Sequence, residues 1–199
     1  YQIDIQTGTV TNVVPKSSDT ALNVMQWSGD GTSFYLWRMF KSNKTLQIVV
    51  REIESGTEKE LYRASPPNFI LYSPNGNWYL LLVGKELKIM PAAGGESRVL
   101  YKCEHEGDKL SEIRWSPDGK YIFSVLDQSK QNKFSIWRIP IESGEIQKVL
   151  ELNKSSHKNI KKLSVHPDGQ HVAFQSVSPF KDSEVWVMEN FLPKTENAK

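Results

Sequence analysis

Apolar residues along the chain gather into short dense runs, each bounded by clusters of small and polar residues. The densest are Phe34-Tyr35-Leu36-Trp37, Trp78 to Val83, Tyr121 to Val125, and His171-Val172-Ala173-Phe174. Residues that are apolar at successive positions point to both faces of a strand, so these runs predict strands covered on both sides rather than strands with one wet face. Read the same way, the chain predicts strands near 22–27, 32–40, 45–53 and 58–63, then near 68–72, 77–83, 86–91 and 97–102. A third group falls near 110–115, 120–126, 134–140 and 145–151, and a last group near 160–165, 170–176 and 183–189. Tyr1 to Ile5 and Val10 to Val14 alternate around Thr7-Gly8-Thr9, which predicts one more strand pair. The second strand of each group is expected to be the most buried.

Each dense run follows a variant of one turn: Trp27-Ser28-Gly29-Asp30-Gly31, Tyr72-Ser73-Pro74-Asn75-Gly76, Trp115-Ser116-Pro117-Asp118-Gly119, and Val165-His166-Pro167-Asp168-Gly169. Proline presets φ, Asp or Asn bonds its own backbone, and Gly accepts positive φ, so the unit reads as a hairpin turn. Asp30, Gly31, Asn75, Gly76, Asp118, Gly119, Asp168 and Gly169 are therefore expected to be structural turn residues. One per repeat, the carboxylates lie too far apart to act as an acid/base pair. A recurrence of roughly 45 residues is the period of a four-stranded propeller blade. The expected fold is all-β: a β-propeller of four-stranded antiparallel blades, with about four blades in this chain. A propeller segment over 1–193 would hold a partial blade at 1–15 and blades at about 22–63, 68–102, 109–152 and 159–190, followed by a disordered tail at 194–199. The last blade lacks an outer strand and the first pair lacks inner ones, so the chain reads as the C-terminal arc of a larger ring. Its end faces would be covered by the remaining blades or by self-association. A four-bladed ring closed by Val10 to Val14 is the competing expectation.

These residues resemble the TolB-type propeller repeat, a relative of the WD-repeat propellers. The likeness is carried by Trp115-Ser116-Pro117-Asp118-Gly119-Lys120-Tyr121-Ile122-Phe123 with Phe134 to Ile139 and Ser143-Gly144-Glu145, and again by His166-Pro167-Asp168-Gly169, Val172-Ala173-Phe174 and Glu184 to Met188. It departs from the pattern at Gly29, where proline is usual, and at His166, where serine is usual. The resemblance implies a ring of six to eight blades, most often in bacterial periplasmic or sensory proteins, acting as an interaction platform. It implies no catalytic residue, because the signature residues are structural.

Composition narrows function mainly by exclusion. At 199 residues, 38% hydrophobic and 11% aromatic, the chain can bury a core, and a net charge of +2 gives no strong field toward nucleic acid. No run is long enough for a membrane-spanning helix, and Cys103, the only cysteine, cannot form an internal disulfide. Trp27, Trp37, Trp78, Trp115, Trp137 and Trp186 fall in register and are expected to pack between blades. The connectors between blades, Cys103 to Asp108 and Asn153 to His157, should share one face with the loops joining second and third strands. His105, His157, Lys109, Lys154 and Lys158 are the candidate ligand-face residues there; their spacing fits a solvated loop better than a metal site. His166 and His171 belong to the opposite face or a strand. There is no nucleophile elbow and no phosphate-binding glycine loop. The expectation is a non-catalytic, extracytoplasmic module binding a protein or peptide, without metal or cofactor. The alternatives are the propeller part of a hydrolase or polysaccharide lyase, and the sensor domain of a bacterial signalling protein.

Overall fold

The computed structural model describes residues 2–14, 17–28, 30–67, 69–178 and 183–188. Gly29, the predicted tail and the end of the last repeat lie outside these residues. A hairpin of two short strands, β1 (Gln2–Ile3) and β2 (Val10–Thr11), comes first. The first large sheet is β3 (Thr20–Trp27), β4 (Ser33–Phe40), β5 (Thr45–Glu52) and β6 (Glu58–Ala64). Next come β7 (Phe69–Tyr72), β8 (Trp78–Val83), β9 (Glu86–Pro91) and β10 (Arg98–Lys102), then β11 (Lys109–Trp115), β12 (Tyr121–Gln128), β13 (Lys133–Pro140) and β14 (Gln147–Asn153). The fourth sheet has three described strands, β15 (Asn159–Val165), β16 (Val172–Val177) and β17 (Ser183–Met188). Every sheet is an antiparallel meander in chain order.

The four turns between first and second strands share one geometry, which explains the repeat. Gly31, Gly76, Gly119 and Gly169 have φ between 69° and 78°, the left-handed region a β-carbon disfavours. Each donates its N–H to the carbonyl three residues back, at 2.9–3.1 Å. In three copies a serine hydroxyl completes the turn. Ser28, Ser73 and Ser116 donate to the side-chain oxygen of Asp30, Asn75 and Asp118 at 2.6, 2.8 and 2.6 Å. The same hydroxyls accept from the N–H of Ser33, Trp78 and Tyr121 at 3.0, 2.9 and 2.9 Å. The turn is thus closed from both ends before any tertiary contact forms.

Successive sheets stack through three apolar layers. Leu46, Ile48 and Leu61 meet Tyr79, Leu81 and Met90 between the first and second sheets. Leu80, Leu87 and Ile89 meet Ile113, Trp115 and Ile139 between the second and third. Phe123, Val125 and Ile136 meet Ile160, Leu163 and Phe174 between the third and fourth. No such layer among the described residues joins the first sheet to the fourth, which is an open arc rather than the four-bladed closure. Burial is shared between second and third strands instead of peaking in the second: Leu46 to Val49 of β5 are all buried, against Phe34 and Leu36 in β4. Both strands are flanked on either side within the sheet, so both are shielded. The tryptophans also divide. Trp115 is buried, but Trp27 and Trp186, on the two end sheets, are 50% and 46% exposed. Val10 to Val14 was expected to be a strand, yet only Val10–Thr11 pairs. Val13 and Val14 instead pack on Phe34, Leu36 and Val49 at the open side of the first sheet.

Bulges recur as regularly as the turns. The fourth strand slips by one residue against the third at Leu61, Leu100 and Val149, and β3, β11 and β15 carry bulges against their second strands. An extra residue on one strand adds right-handed twist, which lets narrow inner strands and wide outer strands belong to one blade.

Candidate functional site

The connectors and the loops between second and third strands meet at one end of the stack. Cys103 N–H donates to the Lys85 carbonyl at 3.1 Å, and Lys154 N–H to that of Asn132 at 2.9 Å. Between the second and third sheets this end opens into a groove of about 720 Å³. Phe69 and Leu82 form its apolar wall, and Lys85, Lys109, Glu112 and Arg114 its polar one. The polar wall exists because of the β11 bulge. Glu112 sits there at φ 48°, a strained conformation for a residue with a side chain. Its carboxylate accepts from Leu163 N–H at 3.2 Å and pairs with Arg114 at 3.4 Å. The bulge also frees the Ser111 carbonyl, which the buried Ser124 hydroxyl satisfies at 3.0 Å.

The structure separates the five ligand-face candidates. His105 and Lys158 are exposed on the connectors, and Lys109 is exposed at the groove's rim. Lys154 is tied down: it pairs with Asp127, contacts the Ser129 hydroxyl at 3.1 Å and lies 4.7 Å from the centre of the Phe134 ring. His157 is held in the same way, with Nδ1 2.6 Å from the Ser176 hydroxyl and its ring edge-on to Trp186. Both positions brace the connector between the third and fourth sheets. Cys103 is buried, and burial pushes its thiol pKa up, the opposite of what activates a thiolate nucleophile.

Sequence reasoning did not single out Glu112 and Arg114, because a bulge that turns successive inner-strand side chains into a groove leaves no mark in the alternation. Side chains with potential metal-ligating atoms converge elsewhere, at the turn between β15 and β16: His166, a departure from the repeat, Asp168, a turn residue of the repeat, and His171, expected on the opposite face or in a strand. The signal was present: a closed turn sets its first and sixth residues side by side.

No known protein family and no curated protein matches the sequence. Solved structures do match in shape. TolB from Acinetobacter baumannii superposes with a TM-score of 0.59 at 16% identity, over 89% of this chain and 43% of that one. An oligogalacturonate lyase in complex with manganese gives 0.72 at 13% identity, over 95% and 56%. Oligopeptidase B from Leishmania major gives 0.56 at 9% identity, over 85% and 25%. The chain therefore spans little more than half of these neighbours at most. At such identities, TolB, a lyase and an oligopeptidase have in common with this chain its architecture, that of a TolB-like β-propeller.

Proposed function

We propose that this chain is a non-catalytic binding segment of an extracytoplasmic TolB-like propeller, holding an extended protein or peptide partner along the groove between its second and third sheets. The observation that carries this reading is the groove's mixed lining. One wall is apolar, and the other offers Lys85, Lys109, Glu112 and Arg114. Apolar anchoring with alternating charges suits a peptide better than a uniformly charged polymer. The hydrogen-bonded His157–Ser176 pair lies outside the groove, and among the described lining residues no serine or cysteine is paired with a histidine, which suits binding rather than cleavage.

The same reading assigns the end faces to further blades. Leu22, Val24 and Trp27 on the first sheet and Val185, Trp186 and Val187 on the fourth are 40–76% exposed. A second groove, of about 690 Å³, runs between Asn12–Val14 and the β3–β4 face. Apolar sheet faces of this kind are covered in a closed ring.

Selection of displayed random peptides on the purified protein tests the binding reading. Peptides are expected to be enriched whose binding falls by about tenfold when Lys109 and Arg114 are both replaced by alanine. Enrichment of peptides indifferent to that double replacement, or of none, would overturn it.

A further inference from the structure

The fourth turn keeps the backbone of the other three and replaces their side-chain lock. His166 stands where the others have serine, and His171 where they have Ser33, Trp78 and Tyr121. The backbone is unchanged: Gly169 N–H donates to the His166 carbonyl and His166 N–H to the His171 carbonyl, each at 2.9 Å. Asp168 Oδ1 accepts from Gln170 N–H at 2.7 Å, as its counterparts do from the residue two positions on. That bond fixes the carboxylate plane and leaves Oδ2 facing inward. Oδ2 lies 2.6 Å from His171 Nδ1 and 3.0 Å from His166 Nδ1. The two rings stand 5.5 Å apart at 77° to each other.

Three donors thus converge without another residue between them. His166 Nδ1 also lies 3.3 Å from the Asp168 backbone nitrogen, so the turn's own backbone holds the ring beside the carboxylate. Two imidazole nitrogens therefore crowd one carboxylate oxygen, an arrangement that a shared cation would satisfy.

We propose that His166, Asp168 and His171 form a turn-borne site for a borderline divalent transition metal such as zinc or nickel. All three ligand atoms lie within 4.8 Å of one another. Metal–ligand bonds of about 2.0–2.2 Å place neighbouring donors about 3.0–3.5 Å apart, which small side-chain rotations reach from the present spacing. The donor set of two imidazoles and one carboxylate favours zinc, nickel, cobalt or copper over calcium and magnesium, which take oxygen. The turn backbone supplies the positioning and Gln170 N–H the outer hydrogen bond to the ligating carboxylate. His166 is 60% exposed and His171 and Asp168 about a third, so the remaining coordination positions face solvent and can take water or a partner's donor.

The test is calorimetric titration of the purified protein with zinc alone near neutral pH, beside His166→Ser, which restores the serine of the other turns, and His171→Tyr, which copies the third. Thermal melts of both variants check that the turn still folds. The expected result is one zinc ion bound by the parent protein, affinity lowered by about tenfold or more in each variant, and no heat with magnesium. Absence of zinc binding, or binding that survives in both folded variants, would overturn the proposal.

Discussion

The carboxylate of Glu112 accepts a hydrogen bond from the backbone N–H of Leu163, 3.2 Å away on the next sheet. Both residues lie in bulges of inner strands, with Glu112 at φ 48° and Lys162, beside Leu163, at φ 56°. A bulge leaves an N–H outside the ladder, and here the side chain raised by one bulge satisfies the N–H released by the next. The contact sits at the edge of the proposed peptide groove, so it couples packing of the third and fourth sheets to the shape of that wall.

Glu112→Ala should therefore cost about 1–3 kcal/mol, the range for leaving a buried donor unmatched. Glu112→Gln retains an acceptor and should cost clearly less. Urea denaturation of both variants measures this, and equal losses would show that charge, not the Leu163 bond, is the stabilising part.

Neighbouring turns touch unequally. A β-carbon on Gly119 would lie 3.0 Å from Asn75 Nδ2 and 3.3 Å from its Cγ, whereas one on Gly169 would meet nothing within 4 Å. Both glycines have φ near 70°. Gly169→Ala should carry only the left-handed strain of about 1 kcal/mol, and Gly119→Ala more, because Asn75 must also move. Denaturation midpoints of the two variants give the comparison.

Tyr79 is fully buried and its hydroxyl has no hydrogen-bond partner among the described residues. Burial, with Tyr72 and Tyr35 close by, drives its pKa upward. Removing an unmatched buried hydroxyl while keeping the ring removes a desolvation cost, so Tyr79→Phe should stabilise the fold by about 1 kcal/mol. A lower melting temperature for this variant would point to a polar partner at that hydroxyl.

Glu58 joins Arg38 to Arg51, with Oε1 2.8 Å from Arg51 and its two oxygens accepting from the two terminal nitrogens of Arg38. The Arg38 hydrogen bonds, more than Arg51, hold its carboxyl below the ordinary value of 4.5. A depressed folded pKa adds stability that is present above the unfolded value and is lost as pH falls through the folded one. Stability should thus decline on acidification from about pH 5 to pH 3, and Glu58→Gln should flatten part of that decline. Urea midpoints across this range check the sign; a parallel decline in the variant would assign the loss to other carboxylates.

Turn chemistry and strand density were legible in the sequence because both are local. Ser116, Pro117, Asp118 and Gly119 close their turn with bonds spanning five residues or fewer, and the run Tyr121 to Val125 declares a doubly covered strand by its own composition. Four copies in phase then imply stacked blades. What the tertiary structure decided depends on neighbours that the pattern does not encode. Trp27 and Trp186 carry the same local signal as Trp115, yet only Trp115 has a sheet on each side. Lys154 and His157 read as free loop residues until Asp127, Phe134 and Ser176, distant in sequence, close on them. Glu112 enters the groove because a bulge turns it there, and bulges follow from how twisted sheets pack. His166 reads as a weakened turn and His171 as a residue of the opposite face or a strand, and the two form a cluster because the turn keeps its backbone and sets both rings against one carboxylate oxygen.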